Sequence, residues 1–389
     1  MKICFVPTMF PKYKGDYYGS FVFDDARLLV KKGFEVHVVT QHNPGIPYEE
    51  IMDGIHIHRF KWAEPKEFKA LVHFDGLIDY FRLITYIFSL FLKLLITIRK
   101  YDIDIIHAHS VIPTGFIGAI VAKIMRKPLF ITSHGMDINN FENSPLFRWL
   151  IKFSLKNCNN AIAVSGDLGE KIRSLGIDQD KIVVLRNGVN INRFKPLRNN
   201  ELRKYYKIKE NDILILFVGY LDTFKGIFEL IDVFYKIKQE HNNIKLMIIG
   251  TGPKKHEIEN KVLASDLKNS VIFTGNLKPD EMHRYYQAAD IFTLPSYTEG
   301  LPLAILEAMS CGIPVIASDI GGIPEIIKNN ENGFIIPPKN RKILKDRLMI
   351  LINNAELREK FGRNSIEIIK EEFSIDKKID ILIKLYYRE

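Results

Sequence analysis

The feature that most constrains this chain is a rhythm: short apolar runs alternate with longer amphipathic ones, in two series separated near residue 200. Apolar runs of that length suit strands buried on both faces, and successive parallel strands need a crossover, usually a helix. The first series predicts strands at 2–7, 35–40, 55–60, 103–109, 128–134, 160–165 and 181–186. Helices over Ser20–Lys32, Ile78–Arg99, Pro113–Met125, Pro145–Asn157 and Gly166–Leu175 separate them. The second series predicts strands at 213–219, 244–250, 270–275, 290–295, 314–318 and 333–336, with helices near 226–240, 254–265, 279–289, 302–310 and 340–353. Right-handed crossovers would wind each series into its own doubly wound sheet.

Phe194 to Asp212 is charged and carries Pro196 and Asn199-Asn200, as a connection between domains would. The expected division is a Rossmann-like domain over 1–196, a second over 197–372, and a closing helix over 373–389, behind Ser374, packed back on the first domain. A length of 389 residues with 47% hydrophobic and 26% charged content is enough for two cores and far from disorder. The fold class expected is α/β, two parallel-sheet domains facing a cleft.

The formal net charge of +9 admits nucleic acid or an anionic membrane as partner. The lysines are scattered and no nucleic-acid-binding motif accompanies them, so nucleic acid is not expected. Cys4, Cys158 and Cys311 are far apart, each within an apolar run, which suggests neither a disulfide framework nor a metal knuckle. No export signal is evident at the N-terminus, where Met1-Lys2-Ile3-Cys4-Phe5-Val6-Pro7 enters a strand directly, and a reducing cytosol fits best.

The most informative stretch is Pro295-Ser296-Tyr297-Thr298-Glu299-Gly300-Leu301-Pro302-Leu303-Ala304-Ile305-Leu306-Glu307-Ala308-Met309-Ser310-Cys311-Gly312. A strand ends at Pro295, Pro302 suits a first helical position, and Gly312 suits a C-terminal cap. Unsatisfied amides after Gly300 and the positive end of the helix favour a phosphate. Glu307 lies about 7–8 Å further along the axis, so one extended ligand could touch both places.

Glu299-x7-Glu307 with its Glu-Gly-Leu-Pro entry resembles the signature of the retaining GT-B glycosyltransferases of family 4. Phe217-Val218-Gly219-Tyr220-Leu221-Asp222-Thr223-Phe224-Lys225-Gly226 resembles that family's element for the donor diphosphate, which gives Gly219 and Lys225 to the substrate. Ile249-Gly250-Thr251-Gly252-Pro253 and Phe273-Thr274-Gly275-Asn276-Leu277 resemble its later loops, the second lining the base pocket through Leu277. Gly19-Ser20 resembles the N-terminal glycine loop, Ser133-His134-Gly135-Met136-Asp137 the His-Gly-x-Asp segment, and Asn187-Gly188-Val189-Asn190 with Phe194 and Pro196 the end of the first domain. Tyr220 departs from the pattern, since many relatives carry Arg there; Arg173, Arg186 and Arg284 are candidates to replace it.

The resemblance implies transfer of a sugar from a UDP- or GDP-sugar to an acceptor hydroxyl with retention of configuration, without metal or other cofactor. Glu299, His134 and Lys225 would be catalytic. Gly300, Leu301, Leu303 and Glu307 would bind the donor, Glu307 at the ribose, and Gly19, Ser20 and Asp137 would complete the substrate site. Lys225 is expected as an exposed lysine whose loss leaves the fold intact. A nucleotide-sugar epimerase on the same fold, a phosphorylase-like enzyme and a non-catalytic nucleotide-sugar binder remain as alternatives.

Plainer readings stand beside these. Glu299 and Glu307 could be solvated carboxylates, Lys225 a surface lysine and Gly19 a turn glycine. His107, His109, His134 and Asp137 include common metal ligands, but no chelating spacing completes a set, and His107 and His109 could simply point into the cleft. Residues 83–98 are apolar nearly all round and short of the roughly 20 needed to span a bilayer. They suit a core helix. Alternatively, with Tyr80, Phe81 and Arg82, they suit a peripheral contact between a cytoplasmic protein and an anionic membrane that carries a lipid-linked acceptor, as in polysaccharide or glycolipid biosynthesis.

Overall fold

The structure is a computed structural model that describes residues 1–63, 77–139, 141 and 144–388. It divides into two compact units, Met1–Leu185 with the stretch from Ile379 onward, and Arg186–Lys378.

The strands of the first unit are β1 Lys2–Pro7, β2 Glu35–Gln41, β3 Glu49–Met52, β4 Ile55–Phe60, β5 Ile105–His109, β6 Leu129–Ser133, β7 Asn160–Ala163 and β8 Ile182–Val184. They form one sheet in the order β3-β4-β2-β1-β5-β6-β7-β8, with Ile3 in register with Val36 on one side and Ile105 on the other. All neighbours are parallel except β3 and β4, where Met52 faces Ile55 across Asp53-Gly54. β3 was not expected from the sequence. Two of its four residues are glutamates and only Met52 is buried, so no apolar run marks it, although Asp-Gly is a strong hairpin signal and both residues here take positive φ.

The helix expected at Ile78–Arg99 runs from Leu77 to Tyr101. It buries Tyr86, Leu90, Leu94 and Ile98, which recur at intervals of four along one face, while Ile78, Phe81, Ile84, Phe88, Leu92 and Ile96 are exposed. Its Phe81–Tyr101 segment is long and apolar enough to cross a membrane by length and composition, so the apolar stretch exceeds the 16 residues anticipated.

In the second unit β9 Ile213–Val218, β10 Ile244–Ile249, β11 Val271–Gly275, β12 Ile291–Leu294, β13 Val315–Ser318 and β14 Gly333–Ile336 form a fully parallel sheet in the order β11-β10-β9-β12-β13-β14. The central strand, Ile-Leu-Ile-Leu-Phe-Val, is apolar throughout because both its faces are covered. Three helices were not expected, the shortest being Ile323–Ile326. Asn200–Tyr205 lies inside the anticipated connection, capped by the Asn199 side chain on Leu202 N–H at 3.0 Å, and Ala355–Glu372 is capped by Asn354 on Leu357 N–H at 2.8 Å.

The division falls at 185/186 instead of 196/197 because the intervening residues bond into the second unit. The Asn187 side-chain amide donates to Leu301 O (3.0 Å), Ser310 Oγ to Phe194 O (2.5 Å) and Gln287 Nε2 to Lys195 O (3.1 Å). The last helix, Ile375–Tyr386, straddles the division, and Ile379, Leu382, Leu385 and Tyr386 join the core of the first unit.

Candidate functional site

The strand order of the second unit reverses direction between β9 and β12, and in open parallel sheets ligands bind where such a reversal leaves a crevice at the carboxyl ends of the strands. The loop after β9 ends in a short turn, Thr223–Lys225, that Asp222 caps by accepting from Thr223 N–H at 2.5 Å. Gly226 follows at φ +67°, and a Cβ there would lie 1.9 Å from Pro295 O, so only glycine lets this turn rest on the end of β12. Tyr297 N–H donates to Phe224 O at 2.7 Å, fastening the two loops together. Lys225 and Glu299 thereby meet, Nζ to Oε1 at 2.6 Å.

That contact corrects the expectation of an exposed lysine. The Lys225 side chain is 17% exposed and that of Glu299 9%, so each would be left poorly solvated without the other. Removing the lysine alone therefore disturbs the fold as well as the charge.

The Glu299-Gly300-Leu301 loop is braced on its other side by residues that the sequence reading missed. Gly321, at φ +50°, sits where a Cβ would approach Glu299 O to 2.2 Å, and Gly322 N–H donates to Gly300 O at 2.8 Å. The consecutive glycines after β13 were the available signal. Pro302 has φ −72° and ψ 118°, so it precedes the helix Leu303–Ser310 instead of opening it. No side chain caps that start, where the Ile305 N–H donates to the carbonyl of Pro302 at 3.2 Å. Gly312 closes the other end at φ +74°, with Gly312 N–H on Met309 O and Ile313 N–H on Ala308 O.

Glu307 is half-buried, and its Oε2 accepts from the hydroxyl of Tyr286 at 2.8 Å, a second partner the sequence reading missed. Around Gly219 the backbone is tightly packed: Gly250, at φ +137°, would place a Cβ 2.0 Å from Gly219 O, and Gly252 one 2.4 Å from Leu221 O. These two glycines serve close packing of adjacent loops. Leu277 is half-buried beyond β11. Of the suggested replacements for an arginine at the exposed Tyr220, Arg186 is paired with Glu325 at 2.8 Å, Arg173 in the first unit is bonded to Glu170, and Arg284 is exposed. Lys254 was overlooked; its backbone N–H donates to Leu221 O at 3.0 Å and its ammonium pairs with Glu257 at 2.8 Å.

In the first unit, buried Asp137 accepts from Ser133 Oγ (2.8 Å), His134 N–H (3.2 Å), Gly135 N–H (3.0 Å) and Val111 N–H (2.7 Å). Burial pushes its carboxyl above the usual range, and these bonds pull it back. Asp137 thus shapes the loop that presents His134, whose ring stacks on His109 (centroids 5.8 Å) and meets Phe21 edge-on (4.8 Å). Against the reading in which it opens into a cleft, His107 is buried, bonded to Thr132 Oγ1 (2.8 Å) and to the Tyr386 hydroxyl (2.5 Å). Gly19, at φ +70°, precedes the helix Ser20–Lys31, and a Cβ there would lie 2.3 Å from Met9 O. Ser20 N–H donates to Tyr17 O at 3.3 Å. Among the described residues no group of three His, Cys, Asp or Glu side chains is placed to hold a metal ion.

Comparison with known proteins matches residues 198–368 to the family described as glycosyl transferases group 1 and residues 19–193 to Glycosyltransferase Family 4. An uncharacterized glycosyltransferase of Methanocaldococcus jannaschii is 31% identical over 336 residues, covering 85% of this chain and 89% of that protein. The UDP-Gal:alpha-D-GlcNAc-diphosphoundecaprenol alpha-1,3-galactosyltransferase of Escherichia coli is 29% identical over 300 residues, covering 74% and 76%. Among solved structures, Anabaena HepE in complex with UDP-glucose superposes with a TM-score of 0.80 at 20% identity, covering 100% of both chains.

Proposed function

The chain belongs to the glycosyl transferases group 1 family, and we propose that it transfers the sugar of a UDP- or GDP-sugar to a lipid-linked acceptor, with retention and without a metal ion. It is a glycosyltransferase of GT-B fold; retention is proposed on the resemblance of Glu299-x7-Glu307 to the retaining signature, and metal independence is supported by the loops that join Lys225 to Glu299. When the glycosidic bond to the donor breaks, negative charge grows on the departing diphosphate. An ammonium already held in place by Glu299, together with helix amides that no side chain caps, offsets that charge. A fixed donor of this kind contributes about 3–4 kcal/mol to lowering a barrier. Glu299 is assigned to the hydroxyls of the donor sugar, Glu307 to the ribose, and His134 of the first unit to the sugar. No base is assigned, because the departing phosphate can itself take the acceptor's proton.

A panel of UDP- and GDP-sugars assayed in EDTA, with the anomeric configuration of the product read by NMR, tests this directly. Full turnover with the donor's configuration preserved is expected. Inversion, or activity lost in EDTA and restored by Mg²⁺ or Mn²⁺, overturns the assignment. Donor epimerised at C2 without acceptor would favour the epimerase.

The lipid-linked acceptor is supported by the helix Leu77–Tyr101. Its exposed Phe81, Ile84, Phe88, Leu92 and Ile96 form one apolar stripe, with Arg82 near its start and Arg99 and Lys100 at its end, as in helices that lie in a bilayer interface. The Escherichia coli relative's own name specifies a diphosphoundecaprenol acceptor. We therefore place the protein in the cytoplasm, at the inner face of the membrane. It should float with anionic liposomes at low salt and be released at high salt; failure to float with anionic vesicles would favour a soluble acceptor.

A further inference from the structure

Glu307 lies in the middle of the helix Leu303–Ser310, half-buried, where a flexible carboxylate could adopt several rotamers. One of its oxygens is fixed by the Tyr286 hydroxyl at 2.8 Å. Tyr286 itself has no freedom to follow a moving partner. It ends the short helix Met282–Tyr286 and is fully buried, with its ring against Phe194 (centroids 5.8 Å, edge-on) and Phe292 (5.9 Å). The next residue, Gln287, is held on both sides: its side chain donates to Lys195 O and its carbonyl accepts from Asn199 N–H.

Burial and the adjacent carboxylate push the phenol well above its usual range, so the hydroxyl keeps the proton that it donates to Glu307. A carboxyl oriented by a donor on Oε2 still has acceptor lone pairs on both oxygens. Such a group suits a ligand that arrives with hydroxyl donors side by side, as the 2′,3′-diol of a ribose does.

We propose that Tyr286 is a positioning residue that fixes the Glu307 carboxylate as an acceptor for the ribose diol of the nucleotide. This rests on the assignment of Glu307 to the ribose. Tyr286→Phe keeps the ring and removes only the hydroxyl, so the packing between Phe194 and Phe292 survives.

The experiment is calorimetric titration with UDP and GDP, alongside steady-state kinetics, for wild type, Tyr286→Phe, Glu307→Ala and the double variant. Tyr286→Phe is expected to weaken nucleotide affinity and raise the donor KM by about tenfold, within the range for hydrogen bonds to charged groups. Its kcat, acceptor KM and melting temperature should stay close to wild type. Glu307→Ala should weaken affinity at least as much, and the double variant no further than Glu307→Ala alone. If Glu307→Ala weakens binding and Tyr286→Phe does not, the positioning role falls while the ribose assignment stands. If Glu307→Ala binds as wild type does, both fall. If Tyr286→Phe lowers melting temperature, kcat and acceptor affinity together, the hydroxyl serves the fold alone and the proposal is overturned.

Discussion

The two units share one architectural plan but spend their polar residues differently. In the first, the loop after β6 is shaped by a side chain: Asp137 gathers three backbone amides and a serine hydroxyl, and His107 is committed to Thr132 and Tyr386. In the second, Asp222 caps the turn after β9, but the loops after β9 and β12 are seated by close backbone approach, through Gly226 against Pro295 and Gly321 against Glu299. Charged side chains there are left to face one another, Lys225 with Glu299. A polar residue at a strand end is therefore weak support for a ligand site until what shapes the loop is known. Glycine-shaped loops leave their side chains for chemistry.

The largest effect that tests this contrast is expected at Lys225. Lys225→Met should lower kcat by about 10²–10³-fold, the loss typical of removing one fixed donor from a developing anion. It should also lower the melting temperature, because Glu299 loses its partner while only 9% exposed. Adding Glu299→Gln should recover stability but not turnover. A single variant with near-normal transfer would remove Lys225 from the chemistry.

A smaller effect should appear on acidification, largest in the first unit. Burial holds the His58 imidazole down to about 4, against the pull of Glu49, and lowers His37 as well. Between 6.5 and 4 the unfolded chain then binds more protons than the folded one, so stability rises with pH and is lost as pH falls through that window. His58 alone accounts for a loss of about 3 kcal/mol across that window, and His37 adds to it. Both tryptophans, Trp62 and Trp149, lie in the first unit, so their fluorescence during denaturation at pH 7 and pH 4.5 reports it selectively. An unchanged midpoint would contradict the burial of a neutral pair.

The smallest effect is expected for Asp137→Asn, which keeps an acceptor but loses the charge. It should cost the first unit about 1–2 kcal/mol, the difference between charged and neutral hydrogen bonds. Nucleotide affinity should be unchanged. A large loss of affinity with normal stability would instead support contact between Asp137 and the substrate.

Most of the fold was legible because parallel strands covered on both faces must be apolar, and the periodicity of β9 and β12 states this directly. β3 escaped because an exposed edge strand needs no such run, and Asn200–Tyr205 because its Asn199 cap reads as a turn in sequence. The candidate site was legible at Glu299, Glu307 and Lys225, where motif and strand–loop–helix context coincide. The Lys225–Glu299 contact, Tyr286 beneath Glu307 and the bracing by Gly321 and Asn187 join residues far apart in the chain, so no local pattern encodes them.

The central claim is that the second unit carries the nucleotide site and needs no metal to bind its ligand. Calorimetric titration of wild type and Glu307→Ala with UDP and with GDP, both in EDTA, tests it most directly. The account predicts that one of the two nucleotides binds wild type without added metal and that Glu307→Ala binds it about 1.5–3 kcal/mol more weakly, as expected for a lost charged hydrogen bond. Equal affinity for the two proteins, or binding that appears only when Mg²⁺ is restored, would contradict it.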